Sequence, residues 1–252
     1  MDGRVALVTG AGRGIGRATA LALAAAGAKV MAVSRTRSEL EALAEEAPVA
    51  WHAASLETEA GCDEVIAETR RRLGPIEILV SNASIGSTFD STIFDLPTDA
   101  WRRFLAINLE ASFFLARAAS HDMRAAGWGR IVMVSSTSGL IGSAADVGYT
   151  TSKHAVIGLM RAIAQDVGAY GVTCNAICPG WVHTDMADRS AVHEAAARGI
   201  DAADVWRERA AIYPRGKALS AEEIAGPIAF LCTDGASGIS GEAIPVSAAN
   251  HF

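Results

Sequence analysis

An apolar run of strand length leads directly into a glycine-rich turn and then into a helical pattern near the start of the chain. The run is Val5–Thr9, the turn reads Gly-Ala-Gly-Arg-Gly-Ile-Gly over residues 10–16, and the helical pattern extends from Ile15 to Ala26. A continuous apolar strand of this kind is typical of a parallel sheet that is buried on both faces. Glycines allow close approach of the backbone, and a helix that begins there offers free amides to an anion. The arrangement predicts a phosphate-binding turn, with the spacing G-x-x-x-G-x-G, a variant of the strict dinucleotide fingerprint.

Strand-like and helix-like segments alternate along the rest of the chain, without internal repeats. Further strands are expected at Lys29–Ser34, Val49–Ala54, Ile78–Val80, Ile131–Val134, Val172–Cys178 and Ala243–Val246. Helices are expected at Ser38–Ala47, Thr58–Leu73, from an N-cap at Thr98 through Asn108 to Ala126, at Tyr149–Val167, irregularly over 185–210, and at Ala221–Thr233. Such alternation implies parallel strands joined by right-handed crossovers. The sequence therefore predicts an α/β, Rossmann-like, doubly wound parallel sheet of about seven strands with helices on both faces.

Length, composition and charge narrow the classes of function that fit. The 252 residues suffice for one domain spanning 1–252, and a hydrophobic content of 50% suits strands that are buried on both faces. The net charge of −6 argues against non-specific binding of nucleic acid. The first strand begins at Val5, which leaves no room for a targeting segment, and no apolar run reaches membrane-spanning length. We therefore expect neither a nucleic-acid nor a membrane partner.

The cysteines indicate neither a metal site nor a disulfide framework. They stand at positions 62, 174, 178 and 232, which is not a zinc-binding spacing. Cys174 and Cys178 fall in a strand-like segment and are expected to be reduced packing residues. Reduced cysteines favour a cytoplasmic location, and no metal is predicted.

A tyrosine and a lysine four residues apart form the clearest catalytic candidate. Tyr149 and Lys153 lie on one face of an expected helix, and Ser136 precedes Tyr149 by thirteen residues. A free phenol has a pKa near 10, but a neighbouring ammonium typically lowers such a pKa by about 1–3 units. A pair of this kind can act as general acid and base on a carbonyl or an alcohol. The simpler alternative is a lysine whose stem packs along a half-buried tyrosine.

Taken jointly, the motifs resemble those of the short-chain dehydrogenase/reductase family. They occur in the family's order over nearly the whole chain, in the segments Thr9–Gly16, Asn82–Ala83, Asn108, Ser135–Ser136, Tyr149–Lys153, Asn175 and Pro179–Thr184. The resemblance implies hydride transfer between a nicotinamide dinucleotide and a carbonyl or alcohol. It also implies a site at the carboxyl ends of the strands, where open α/β sheets bind their ligands.

The resemblance implies catalytic roles for four residues. Tyr149 would exchange a proton with the substrate oxygen, and Lys153 would lower the pKa of Tyr149 and bind the nicotinamide ribose. Ser136 would hold the substrate oxygen, and its spacing to Tyr149 selects it over Ser135. Asn108 would anchor a water for proton relay; the alternative is an asparagine that only shapes a helix kink.

Charge favours NADP(H) as the cofactor, with NAD(H) possible. Relatives that prefer NAD usually carry an acidic residue at the position of Ser34, where it binds the ribose 2′-hydroxyl. Arg35 follows Ser34, and Arg13 lies in the turn, so two guanidiniums could grip a 2′-phosphate unless both are ordinary surface charges. Thr184 would bond the nicotinamide carboxamide. The residues expected at the cofactor are Gly10, Gly12, Arg13, Gly14, Ile15, Gly16, Ser34, Arg35, Asn82, Ala83, Tyr149, Lys153, Pro179, Gly180, Val182 and Thr184.

The substrate pocket is expected to be largely apolar and to be closed by a lid. Trp181, Phe89, Leu140 and Met186 would supply apolar surface, and the segment at about 185–210 would close over the site. The residues expected at the substrate are Ser136, Ser138, Tyr149, Trp181 and Met186.

The sequence departs from the family pattern at several positions. Ser84 replaces a glycine beside the nicotinamide side of the cleft, and Ser55 replaces an aspartate that often contacts adenine. Val246-Ser-Ala-Ala249 replaces the usual V-D-G-G of a region that helps to build subunit contacts. A homotetramer, or a homodimer, is therefore only what the resemblance implies.

Two alternatives accompany the expected small ketone or secondary alcohol substrate. Reductases of 3-oxoacyl groups on acyl-carrier protein often carry an arginine at the position of Tyr170, and although Arg130 remains, this docking pair is incomplete. A 3-oxoacyl (carrier-protein or CoA) reductase is thus the second choice. A non-catalytic NADP(H)-binding sensor is less favoured, because such proteins usually lose the tyrosine or the lysine.

Overall fold

Seven parallel strands form one sheet in the computed structural model, which describes residue 1 and residues 3–86 and 92–250. The strands are β1 (Val5–Thr9), β2 (Lys29–Ser34), β3 (Ala50–Ala53), β4 (Ile78–Ser81), β5 (Gly129–Val134), β6 (Val172–Pro179) and β7 (Ala243–Val246). Their order is β3-β2-β1-β4-β5-β6-β7, and every pair is parallel. The predicted doubly wound fold is confirmed.

Nine α-helices connect these strands within the described residues. They are α1 (Gly14–Ala25), α2 (Arg37–Glu46), α3 (Glu59–Leu73), α4 (Thr98–Leu105), α5 (Ala111–Ala126), α6 (Val147–Val167), α7 (Asp185–Arg198), α8 (Ala202–Ala211) and α9 (Ala221–Leu231). A π-helical turn, Ala106–Glu110, lies between α4 and α5. No helix in this described part is both long and apolar enough to cross a membrane.

Each face of the sheet has its own apolar core, because successive side chains of a strand point to opposite faces. Leu7 and Met31 pack with α3, α5 and α6 on one face, whereas Val8 and Ala32 pack with α1, α2 and α9 on the other. The central strands are buried on both faces, which explains their continuous apolar runs.

The order of the strands reverses beside β1. The chain proceeds outward from β1 through β2 to β3 and then returns to β4 on the other side of β1. A crevice forms at such a switch point, at the carboxyl ends of the strands. The glycine-rich turn after β1 and the segment after β4 flank this crevice.

Apart from shifts of one or two residues at helix ends, the helices differ from the sequence predictions in three places. Pro97 rather than Thr98 occupies the N-cap of α4, and the Pro97 carbonyl accepts from the Trp101 amide at 3.0 Å to close the first turn. The π-helical turn interrupts the helix predicted to continue through Asn108. The segment at 185–210, expected to be irregular, forms two regular helices separated at Gly199, whose φ is +66°.

Candidate active site

Two adjoining pockets open along the carboxyl ends of the strands. The first, which we call the turn pocket, has a volume of about 180 Å³ and lies between the glycine-rich turn, the end of β2 and residues 82–85. The second, the tyrosine pocket, has a volume of about 430 Å³ and contains Tyr149 and Lys153. Several residues line both pockets, which are therefore parts of one cleft: Ile15, Asn82, Ser84, Thr184 and Met186.

The glycine-rich turn has the geometry of an anion-binding site. Gly10 and Gly14 have positive φ values of 64° and 54°, which L-residues with side chains rarely adopt. A Cβ on Gly16 would collide with the carbonyl oxygen of Gly10, so Gly16 allows α1 to pack closely against the turn and does not itself line a pocket. No side chain among the described residues caps α1, and its first turn holds no acidic residue. Its amides thus suit a phosphate, and the residues present fit a dinucleotide.

Asn82 and Thr9 join the end of β4 to the end of β1. The Thr9 hydroxyl accepts from the main-chain amides of Asn82 and Ala83, each at 3.0 Å. The Asn82 side chain donates to the Thr9 carbonyl at 2.9 Å. These bonds fix the floor of the crevice and leave Ala83 lining the turn pocket.

Arg13 and Arg35 were both predicted to bind a 2′-phosphate, but Arg13 is paired with carboxylates. Arg13 does not point to an open phosphate site; its guanidinium lies 3.2 Å from the Glu39 carboxylate and 3.5 Å from the Asp185 carboxylate. Arg35 makes no hydrogen bond or ion pair within the described chain, and it lines the turn pocket with Ser34. Sequence reasoning missed Glu39, although an acidic residue in the first turn of the helix after β2 was a usable signal.

Ser136, and not Ser135, is brought to Tyr149. The side chains of Ser136 and Tyr149 share a hydrogen bond, and the Ser136 hydroxyl also accepts from the amide of Ser138 at 3.1 Å. The Ser135 hydroxyl is buried and donates to the main-chain carbonyl of Lys153 at 2.9 Å. Ser135 therefore ties β5 to α6, whereas Ser136 presents its oxygen to the tyrosine pocket.

The pKa of Tyr149 differs from the sequence expectation in direction. Burial raises the phenol pKa to about 12; the hydrogen bond from Ser136 opposes this shift, and the carboxylate of Asp146 adds to it. The ammonium of Lys153 lies 5.5 Å from the centroid of the Tyr149 ring and donates to the carbonyl of Val134 at 2.9 Å. Burial also lowers the pKa of Lys153 to about 8. The expected lowering of the Tyr149 pKa by Lys153 is therefore wrong for this arrangement, because desolvation outweighs the distant ammonium.

Asn108 lies in the π-helical turn, and its side chain is fully engaged. The amide oxygen accepts from the Ser84 hydroxyl at 3.1 Å and from the Ile85 amide at 2.9 Å. The amide nitrogen donates to the Ile85 carbonyl at 3.1 Å and to the Ser152 hydroxyl at 3.0 Å. Asn108 is 2% exposed and lines neither pocket, so its side chain clamps the segment after β4 to α6 and has no group left to hold a water.

The wall of the tyrosine pocket includes all the residues predicted at the substrate. Ser136, Ser138, Tyr149, Trp181 and Met186 line it. Leu140 instead packs against the core beneath the sheet, and Phe89 lies outside the described residues. Sequence reasoning missed further lining residues that approach from distant parts of the chain: Ile212, Tyr213 and Asn250.

Trp181 is held from two sides by residues near and within α8. Its main-chain amide donates to the Tyr213 hydroxyl at 2.5 Å, and the Arg209 guanidinium stacks 3.6 Å from the centre of its ring. Arg209 is 5% exposed and donates to the Ala187 carbonyl and the Ser190 hydroxyl, each at 3.0 Å. These contacts couple α7 and α8 to the pocket wall.

In sequence and in structure, this chain is similar to known dehydrogenases and reductases. The model of the short chain dehydrogenases matches residues 4–195. D-beta-hydroxybutyrate dehydrogenase of Cupriavidus necator is 32% identical over 247 residues, covering 96% of this chain and 95% of the relative. The 3-oxoacyl-[acyl-carrier-protein] reductase FabG of Pseudomonas aeruginosa is 35% identical over 254 residues, covering 98% and 97%.

Solved structures of two ketone reductases superpose closely on this chain. A variant of actinorhodin polyketide ketoreductase with NADPH gives a TM-score of 0.93 at 28% identity, covering 98% of this chain and 97% of that one. Levodione reductase gives a TM-score of 0.91 at 33% identity with the same coverage. With a family match across most of its length and relatives above 30% identity from end to end, this chain belongs to the short chain dehydrogenase family.

Proposed function

We propose that this protein transfers a hydride between NADP(H) and a small ketone or secondary alcohol. The observation that carries the proposal is the hydrogen-bonded Ser136–Tyr149 pair in a pocket continuous with the anion-binding turn. The nicotinamide cofactor, when bound, supplies or accepts the hydride. The residues around the cleft would transfer the proton and hold the cofactor and the substrate.

Tyr149 acts as the proton donor in the reducing direction. A phenol whose pKa is raised to about 12 is protonated at neutral pH, which is the form that donates to a carbonyl oxygen. Tyr149 would give its phenolic proton to the carbonyl oxygen as the carbonyl is reduced to a secondary alcohol. Ser136 holds that oxygen and stabilises the negative charge that develops on it. Lys153 would bind the nicotinamide ribose, and its ammonium lies 5.5 Å from the centre of the phenol ring.

The remaining predicted residues hold the cofactor. The glycine-rich turn would receive the pyrophosphate, and Arg35 would bind the 2′-phosphate. Asn82 and Ala83 support the crevice, while residues 179–184 would hold the nicotinamide. An NADPH-bound ketoreductase among the similar structures supports a phosphorylated cofactor.

We also propose that the chain is one domain, 1–252, with α7 and α8 as the lid. The contacts of Arg209 with Trp181 and with α7 support this, since a movement of these helices would move the pocket wall. The homotetramer, or homodimer, and the cytoplasmic location stay predictions.

A 3-oxoacyl thioester is the second candidate substrate, and the names of several relatives favour it. The side chain of Arg130 argues against docking of a carrier protein. It is 2% exposed and donates to the carbonyls of Thr233, Gly129 and Gly171. A guanidinium engaged in this way is not free to bind a phosphopantetheine-bearing partner, so a free thioester such as acetoacetyl-CoA is the appropriate alternative to test.

The test is NADPH oxidation with a panel of ketones and acetoacetyl-CoA, using wild type and Tyr149→Phe. We expect wild type to oxidise NADPH with at least one ketone, and Tyr149→Phe to lose turnover while it binds NADPH nearly as well. Tyr170→Phe, at an exposed tyrosine, is the matched control. Turnover by Tyr149→Phe would contradict the role given to the phenol, and activity with acetoacetyl-CoA alone would favour the second candidate.

A further inference from the structure

The turn pocket is lined by more carboxylates than guanidiniums. Among the described residues, Arg13 and Arg35 supply the positive charges, whereas Glu39, Glu57 and Asp185 supply the negative ones. A 2′-phosphate is close to doubly negative at neutral pH, as other phosphate monoesters are. Glu57 is paired with Arg103, 3.2 Å away and outside the lining, so the two remaining carboxylates balance the two guanidiniums. The net local charge therefore gives no attraction to the group that distinguishes NADP(H) from NAD(H).

Glu39 neutralises one of the two guanidiniums expected to bind that phosphate. Its Oε1 atom accepts from Arg13 Nη1 at 3.2 Å, and Asp185 lies 3.5 Å from the same nitrogen. Arg35 also lines this pocket and, unlike Arg13, makes no ion pair within the described chain. A phosphate therefore meets one available guanidinium and another that is already paired.

The second oxygen of Glu39 stands where a ribose-binding carboxylate is needed. A Cβ built on Gly12 would collide with Glu39 Oε2 and would lie 2.8 Å from the Ser34 hydroxyl. The carboxylate therefore lies beside the tip of the glycine-rich turn and the end of β2. In dinucleotide-binding folds a carboxylate at this place accepts from the ribose 2′-hydroxyl. Ser34, at the end of β2, has no carboxylate. In this protein the carboxylate beside the turn comes instead from Glu39 of α2.

We propose that Glu39 determines the cofactor preference of this protein. Its carboxylate repels a 2′-phosphate and accepts from a free 2′-hydroxyl, so that NAD(H) binds nearly as well as NADP(H). This inference rests on the proposed function only in that the cleft binds a nicotinamide dinucleotide.

The test is calorimetric titration of NADP⁺ and NAD⁺ into wild type and Glu39→Gln, which requires no turnover. Glutamine keeps the length of the side chain and can still bond Arg13, while the negative charge is lost. Removing one charge near a phosphate is worth about tenfold in affinity, so we expect the Kd of NADP⁺ to fall about tenfold. The Kd of NAD⁺ should rise about threefold, because an amide is a weaker acceptor than a carboxylate.

Glu41→Gln is the matched control, since Glu41 lies on the same helix and pairs with Arg37, away from the pocket. Glu39→Asp provides a second variant: its shorter carboxylate should give a Kd ratio between those of wild type and Glu39→Gln. An unchanged ratio in both Glu39 variants, with wild type binding a dinucleotide, overturns the inference and leaves the proposed function standing. Failure of wild type to bind either dinucleotide overturns the proposed function as well.

Discussion

The side-chain nitrogen of Lys153 donates a hydrogen bond to the main-chain carbonyl oxygen of Val134, 2.9 Å away, between α6 and the end of β5. Lys153 is 3% exposed, and burial lowers its pKa from 10.5 to about 8. Between these two pH values the unfolded chain binds more protons than the folded chain, so the stability of the protein gains from rising pH. Below pH 8 the buried charge of Lys153 lowers the free energy of unfolding by about 3 kcal/mol.

Lys153→Met should therefore be more stable than wild type at pH 7, by about 2 kcal/mol once the lost hydrogen bond is subtracted. The advantage should shrink as pH rises from 8 to 10.5, because the wild-type lysine becomes neutral in both states. Urea denaturation of both proteins across this range measures the difference in the free energy of unfolding. Lys29→Met, at an exposed lysine, is the control. A difference that does not vary with pH would contradict the assigned burial of charge.

The two adjacent serines should separate catalysis from stability. Ser136→Ala removes the hydroxyl beside Tyr149, and we expect kcat to fall by about 10²-fold with little change in Tm. Ser135→Ala removes the donor to the Lys153 carbonyl, and we expect it to cost about 1–2 kcal/mol of stability. Steady-state kinetics and thermal melts of both variants give the comparison. The opposite pattern would exchange the roles of the two residues.

Apolar runs and the topology of parallel strands account for what the sequence predicted well. The run Val5–Thr9 is buried throughout, and the strands extend as the patterns indicated, to within one or two residues. Because the carboxyl ends of parallel strands share one edge of the sheet, Ser136, Tyr149 and the glycine-rich turn could be expected to converge there.

Properties that depend on packing between distant elements could not be predicted from the sequence. The pairing of Arg13 with Glu39 depends on how α2 is rotated against the turn, and no sequence spacing fixes that rotation. The raised pKa of Tyr149 depends on how much protein surrounds the phenol, whereas the motif shows only the nearby lysine. The engagement of Asn108 depends on a π-helical turn, which has no simple periodic signature.

The side chain of Asn108 should stabilise the fold through its hydrogen bonds. Asn108→Ala leaves the part-buried amide and carbonyl of Ile85 without their side-chain partner, so we expect the free energy of unfolding to fall by about 2 kcal/mol. Ser84→Ala removes a single donor to Asn108 and should cost about 1 kcal/mol or less. Chemical denaturation of the two variants measures these values. A residue that served only to hold a water would lower kcat in Asn108→Ala without any loss of stability.

The C-terminal turn stores backbone strain at two alanines. Ala248 and Ala249 have φ values of 46° and 65°, a region that costs an L-residue roughly 1–2 kcal/mol and costs glycine almost nothing. Glycine also increases the entropy of the unfolded chain, which offsets about 0.4–1 kcal/mol of that relief. The net gain is about 0.5–1 kcal/mol for each substitution.

The double variant Ala248→Gly/Ala249→Gly should therefore melt a few degrees above wild type, since about 1 kcal/mol corresponds to roughly 2–4 °C for a chain of this length. Ala42→Gly, at an exposed position within α2, is the matched control and should melt below wild type, because there glycine brings only the entropic cost. Calorimetric scans of the three proteins make the comparison. A fall in Tm in the double variant would mean that the entropy of the unfolded chain outweighs the strain at this turn.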